Sequence, residues 1–102
     1  MIEKDDGIFL GRLGREPELR YTKTQKPVCH LSVAVNSQHD EKVVWHKVVI
    51  WGKQAELAKQ YLRKGCEVFV RGRKQKKSFK TKEGPVKSYE EVNASLVGFS
   101  NL

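Results

Sequence analysis

The sequence predicts an all-β domain, a small barrel of five short strands with one helix inserted late in the order. Three observations lead there. Apolar and polar residues alternate with period 2 in separate stretches, Gly and Pro clusters punctuate them, and only one segment shows a helical period. The length of 102 residues suits one domain, because a second would have too little chain to bury its own core. Residues 1–102 are therefore read as a single domain, with the barrel itself over 6–100.

The segment Ile8-Phe-Leu-Gly-Arg-Leu13 opens the barrel, and Gly14-Arg-Glu-Pro17 breaks it. Glu18 to Thr22 is a short extended piece ahead of the polar turn Lys23–Pro27. From Val28 to Asn36, Cys29, Leu31, Val33 and Val35 share one face, with His30, Ser32 and Ala34 on the other. After a polar loop, Val43 to Trp51 places Val44, His46, Val48 and Ile50 on an aliphatic face. Val43, Trp45, Lys47, Val49 and Trp51 lie opposite. Gly52 ends this strand, and a helix is expected over Lys53–Lys64. There Ala55, Ala58 and Leu62 recur at helical spacing, with Leu57 and Tyr61 beside them. Arg63 and Lys64 suit the negative end of the helix dipole, and Gly65 suits the left-handed residue that follows. From Cys66 to Gln75, Cys66, Val68 and Val70 point inward, while Glu67, Phe69, Arg71 and Arg73 point outward. Residues 76–86, with the turn signal Glu83-Gly84-Pro85, read as a long, flexible, basic hairpin loop. Val86 to Phe99 is the last strand, with a bulge expected where its alternation fails, at Glu90-Glu91-Val92.

This β-β-β-α-β-β order, with the helix between the third and fourth strands, matches the five-stranded Greek-key barrel called the OB-fold. A helix-based DNA reader is excluded, because one helix exists and its surface is neither aromatic nor Arg-rich. No apolar run approaches the roughly 18–20 residues of a membrane span. The N-terminus lacks the apolar segment of a signal peptide, so a cytoplasmic protein is expected. Cys29 and Cys66 lie far apart in alternating runs and read as small apolar residues of a reducing compartment. His30, His39 and His46 have no metal-ligand spacing with either cysteine, so neither metal nor cofactor is expected. The acids are scattered and no nucleophile pattern exists, which argues against an enzyme. Gly11-Arg-Leu-Gly14 lacks phosphate-loop spacing and opens no helix, so its glycines serve the strand.

The net charge is +8, from 20 Lys and Arg against 12 Asp and Glu, and it is concentrated. Residues 70–87 hold Arg71, Arg73, Lys74, Lys76, Lys77, Lys80, Lys82 and Lys87 against the single acid Glu83. A polyanion is the natural partner for such a segment, nucleic acid ahead of an anionic membrane surface. Aromatic rings interleaved with bases on a strand face are what unpaired nucleotides require, rings for stacking and cations for phosphates. Trp45, Lys47 and Trp51 supply that pattern on one strand, Phe69, Arg71 and Arg73 on another, and Phe79 amid lysines on the hairpin.

Several segments carry a resemblance to a known family. They are Leu10-Gly-Arg-Leu-Gly-Arg-Glu-Pro-Glu-Leu-Arg-Tyr-Thr22, Leu31-Ser-Val-Ala-Val-Asn36, Trp45-His-Lys-Val-Val-Ile-Trp-Gly-Lys53, Ala55-Glu56 and Gln60-Tyr-Leu-Arg-Lys-Gly65. From about Ile8 to Phe99 the sequence resembles the DNA-binding domain of the bacterial single-stranded DNA-binding protein family. The resemblance implies an OB-fold, assembled mostly as homotetramers, that binds single-stranded DNA with little sequence preference in replication, recombination and repair. It implies a cytoplasmic, nucleoid-associated location. Carried over by position, the binding aromatics are Trp45, Trp51 (where relatives often have Phe) and Phe79 (usually Trp), and a further loop aromatic falls at His39. The matching basic positions are Lys47, Lys53 and Lys64, with Arg71, Arg73 and Lys77 near the hairpin base. His46 matches a histidine associated with subunit contacts, in a homotetramer or, failing that, a dimer.

One departure is large. Cellular members carry a disordered Gly/Pro/Gln-rich linker ending in an acidic tip that recruits replication and repair proteins, whereas this sequence stops at Asn101-Leu102. A trimmed chain and a naturally tailless relative of plasmid, phage or organellar kind are both compatible with that ending. Two other readings stand beside single-strand binding. One is an OB-fold protein-interaction module of a primosome or replication complex, which has no need of Trp45, Trp51 and Phe79 on a basic surface. The other is structured-RNA or tRNA binding.

Overall fold

The computed structural model describes residues 6–36 and 42–99. The elements run β1 (Asp6–Leu13), β2 (Glu18–Tyr21), β3 (Pro27–Asn36), β4 (Val43–Trp51), α1 (Lys53–Tyr61), β5 (Glu67–Lys80) and β6 (Val86–Phe99). The sheet order β1-β5-β6-β4-β3 returns from β3 to β1, so the ring closes as an OB-type barrel. The short piece after the Gly14–Pro17 break is a strand in its own right. It pairs with β3 from Glu18↔His30 to Tyr21↔Pro27, and β1 takes the same edge at Arg12↔Ala34 and Leu13↔Val33.

Closure depends on a close approach at Gly11. A Cβ there would lie 2.5 Å from the Ala34 carbonyl oxygen and 2.6 Å from a Val33 methyl, so any larger residue would hold β1 off β3. The seam between β4 and β6 is short and parallel, with Val48↔Val92 and Val49↔Asn93.

The inward faces read from alternation form the core: Cys29, Leu31 and Val33 from β3, Val48 and Ile50 from β4, Val68 and Val70 from β5. Each buried branched side chain contributes roughly 1.5–3 kcal/mol over an exposed one. Two residues of β4 depart from the simple parity. Val44 points the same way as Val48 but is exposed, because it pairs with Val35, one rung beyond the last at which β1 covers β3. Val49 lies on the indole face yet is buried, flanked by Lys47 and Trp51 and backed by Asn93 of β6.

Helix α1 buries Ala55 and Ala58, whose small side chains let it sit close against the barrel. It ends at Tyr61, three residues before the sequence expectation. Leu62 turns extended (φ −87°, ψ 148°) and drives its side chain into the core, a burial worth more than another helical turn. The Arg63 guanidinium then donates to the carbonyls of Gln60 (3.2 Å) and Leu62 (2.8 Å). Gly65 does adopt a left-handed φ of 91°, but in the turn into β5, where its N–H donates to the Leu13 carbonyl at 2.8 Å.

Two further expectations are corrected. Glu90-Glu91-Val92 pair regularly with β5; the register shift falls later, where Arg71↔Leu96 is followed by Gly72↔Ala94 and Ser95 is the extra residue. The Ser95 hydroxyl donates to the Arg71 carbonyl at 3.2 Å, and its carbonyl accepts from Gln54 of α1 at 2.9 Å. Residues 76–80 of the expected hairpin are strand and not loop. They continue β5 as a two-stranded ribbon paired through Lys80↔Val86, leaving only residues 81–85 as the turn. Among the described residues, no helix is long and apolar enough to cross a membrane.

Candidate nucleic-acid interface

The outer face of the β3–β4 ladder carries the rows Val28–Trp51, His30–Val49, Ser32–Lys47 and Ala34–Trp45. Trp45 is 60% exposed and Trp51 46%, so both rings are presented to solvent while anchored on strands. Six residues of strand at about 3.3 Å each separate them by roughly 20 Å. The Trp45 ring has a defined seat on the sheet. Its ladder partner Ala34 is small, and beyond it the indole covers Gly14, where any Cβ would run into the six-membered ring.

Lys47 stands between the indoles with its ammonium 5.1 Å from the centre of the Tyr89 ring, a cation–π contact from β4 to β6. Tyr89 in turn lies 6.1 Å from Phe79, at a tilt of 56°. Phe79 is 49% exposed, with Lys87 directly opposite. The ribbon thus brings a second pair of aromatic rings up to Lys47. Beside them opens a recess of about 360 Å3, lined by Arg15, Arg20, His30, Ser32, Lys47 and Tyr89 among others.

The remaining sequence candidates divide. Arg73 pairs with Asn93, which pairs with Val49, so Arg73 lies in the row between the two indoles. Lys77 faces Tyr89 across the ribbon and forms an ion pair with Glu91 at 3.7 Å. Lys53 is exposed at the start of α1, two residues beyond Trp51. Lys64 is exposed on the segment after α1, where its N–H donates to Glu16 at 3.2 Å. Phe69 and Arg71 are not brought to the indoles. Phe69 is half-buried and shares a shallow depression with Leu10, Gly98 and Phe99, and Arg71 lies between Ile8 and Leu96. His39 lies outside the described residues.

The family model described as the single-strand binding protein family matches residues 6–100. The chain belongs to that family. Two curated relatives, from Neisseria meningitidis serogroups A and B, are each named single-stranded DNA-binding protein. Each is 38% identical over 95 residues, covering 86% of this chain and 55% of the relative. The chain therefore spans about half the length of the curated relatives it matches.

Within this domain, sequence reasoning missed Tyr89, an aromatic residue of the last strand. A signal was available: pairing outward from Glu83 as the turn centre places Tyr89 opposite Lys77 and Lys87 opposite Phe79. Arg15, Arg20 and His30 carried no comparable signal, since only the β2–β3 pairing brings them towards Lys47.

His46 is half-buried at the end of the barrel, its ring 4.6 Å from that of Phe9. Burial, reinforced by Lys74, holds its pKa below the ordinary 6.5, against an opposing pull from Glu90. The unfolded chain therefore takes up this proton first as pH falls. The stability contributed by neutral His46 is complete above 6.5 and is lost as pH drops towards the folded value. Thermal midpoints measured between pH 8 and 5.5 should fall in the parent and fall less in His46→Gln. Parallel curves for the two proteins would contradict this assignment.

Proposed function

We propose that this chain binds single-stranded DNA without sequence preference, as a binding protein and not an enzyme, coating unpaired strands in replication, recombination and repair. The observation that carries the reading is the exposed pair Trp45 and Trp51 on one rigid sheet face with Lys47 between them. Rings of this kind stack on any base, while the cations track the phosphates. Phe79 and Tyr89 extend the stacking surface along the ribbon, with Lys53, Lys64, Arg73 and Lys77 supplying phosphate contacts at its margins. The names of the two relatives support the same ligand. The natural location is the cytoplasm, on the nucleoid, with replication and repair proteins as further partners. Tryptophan emission titrated with oligo(dT), poly(dT) competed against a folded RNA, tests the reading. Quenching and preference for poly(dT) are expected; unaltered emission would favour the primosomal interaction module, and preference for folded RNA would favour the tRNA reading.

Assembly as a homotetramer, or at least a dimer, belongs to the same proposal. Ile8 (61% exposed), Leu10 (58%) and Leu96 stand on one apolar outer face of β1, β5 and β6, the kind of exposed apolar surface that a subunit contact covers. Phe69 and Arg71 lie on this face and are assigned to it, in preference to DNA. His46 stands at the barrel end as the candidate contact residue, and His46→Tyr should weaken assembly by forcing a larger ring against Phe9. Sedimentation equilibrium should give a mass of four or two chains, and a stable monomer at micromolar concentration would refute this.

A further inference from the structure

Three carboxylates border the aromatic face: Glu18 is paired with Arg20, Glu90 stands opposite Lys76, and Glu91 sits where a phosphate would be expected. Glu91 is mostly buried, its side chain 13% exposed, and it lines the recesses on both sides of the Lys47–Tyr89 contact. Its Oε1 is 3.7 Å from the Lys77 ammonium, and it projects on the same ribbon face as Tyr89 and Phe79. An acid at the centre of a basic face opposes polyanion binding unless the cations beside it are shared. A partly buried carboxylate is also too costly to leave without a cation.

We propose that Glu91 is a built-in competitor for DNA phosphate. In the free protein its carboxylate occupies Lys77 and shares the recesses with Lys47. A bound strand takes those cations over, and the returning carboxylate helps to expel it. The exchange keeps the two lysines ordered while DNA is absent and limits the affinity once DNA is bound. This rests on the single-strand reading above, and the test separates the two.

The experiment is oligo(dT) titration at several salt concentrations with the parent, Glu91→Gln, Glu91→Ser and Glu67→Gln. Glu67 lies on the opposite apolar face, so its variant makes the same charge change away from the indoles. Glu91→Gln should bind roughly five-fold tighter at 0.1 M salt, with Glu91→Ser moving in the same direction. The log K against log salt plot should shift by less than about 0.35, half the value for one phosphate on a single strand, because the strand takes over the same lysines in both proteins. Glu67→Gln should gain less than two-fold, as expected for a screened distant charge. A parent that binds while Glu91→Gln and Glu91→Ser gain no more than Glu67→Gln overturns this role for Glu91 alone. A parent that fails to bind overturns the single-strand reading itself.

Discussion

A Trp45→Ala, Trp51→Ala double variant should lose most of its affinity for oligo(dT) while remaining folded. Each lost stack costs about 1–3 kcal/mol. The two rings are roughly 20 Å apart along β4 and engage different nucleotides, so their effects should add to about 2–6 kcal/mol. That spans roughly thirty-fold to more than ten-thousand-fold in the dissociation constant. Folding should survive because neither ring belongs to the buried core. The singles should differ. Trp51 stands beside buried Val28 and Val49, so Trp51→Ala also uncovers apolar surface and lowers the thermal midpoint slightly, whereas Trp51→Phe should restore most of both losses. These are the chain's only indoles, so each single variant reports on the other ring by fluorescence. The double variant must be followed by anisotropy of a labelled oligonucleotide. Parent-like affinity in a folded double variant would remove this face from the mechanism.

The second large effect is expected on the ribbon, and its ladder makes the expectation face-specific. Lys77 and Lys87 share a face with Phe79 and Tyr89, whereas Lys76 and Lys80 point to the other, where Glu90 stands directly opposite Lys76. If the strand follows the aromatic face, Lys77→Gln with Lys87→Gln removes two phosphate contacts and flattens the salt plot by about 1.4. Affinity at 0.1 M salt should then fall roughly 25-fold relative to that at 1 M, for every sequence alike. Lys76→Gln with Lys80→Gln should change the slope by less than half as much. Phe79→Ala should lower affinity with little change in slope, because stacking releases few counterions. Equal slopes in the two lysine pairs would show that the strand does not follow the aromatic face.

Much of the architecture was legible because period-2 alternation is a local property. Cys29, Leu31 and Val33 had to share a face whatever their neighbours, and so did Val68 and Val70, and the core contains them all. The same parity set Trp45, Lys47 and Trp51 on one outward face, where the ladder presents both indoles. Alternation becomes ambiguous where the barrel ends. Val44 has the parity of a core residue without a core beneath it, and Val49 has the parity of an exposed residue with neighbours over it.

What the sequence determined by itself was the set of strands, the single helix, the basic segment and the two indoles on one side of their strand. Each follows from contacts between residues a few positions apart. The tertiary structure alone decided which outward residues share a surface. A closed barrel turns its outer face through a full circle, so Phe69 and Arg71, outward like Trp45, join Ile8, Leu10 and Leu96 instead. It decided that α1 stops at Tyr61, because the core draws in Leu62, and that the extra residue of β6 is Ser95, between β5 and the helix. It also decided that Tyr89, Arg20 and His30 gather around Lys47. Those residues lie tens of positions apart, and only strand pairing across the ring, with Gly11 permitting its closure, brings them to the lining of one recess.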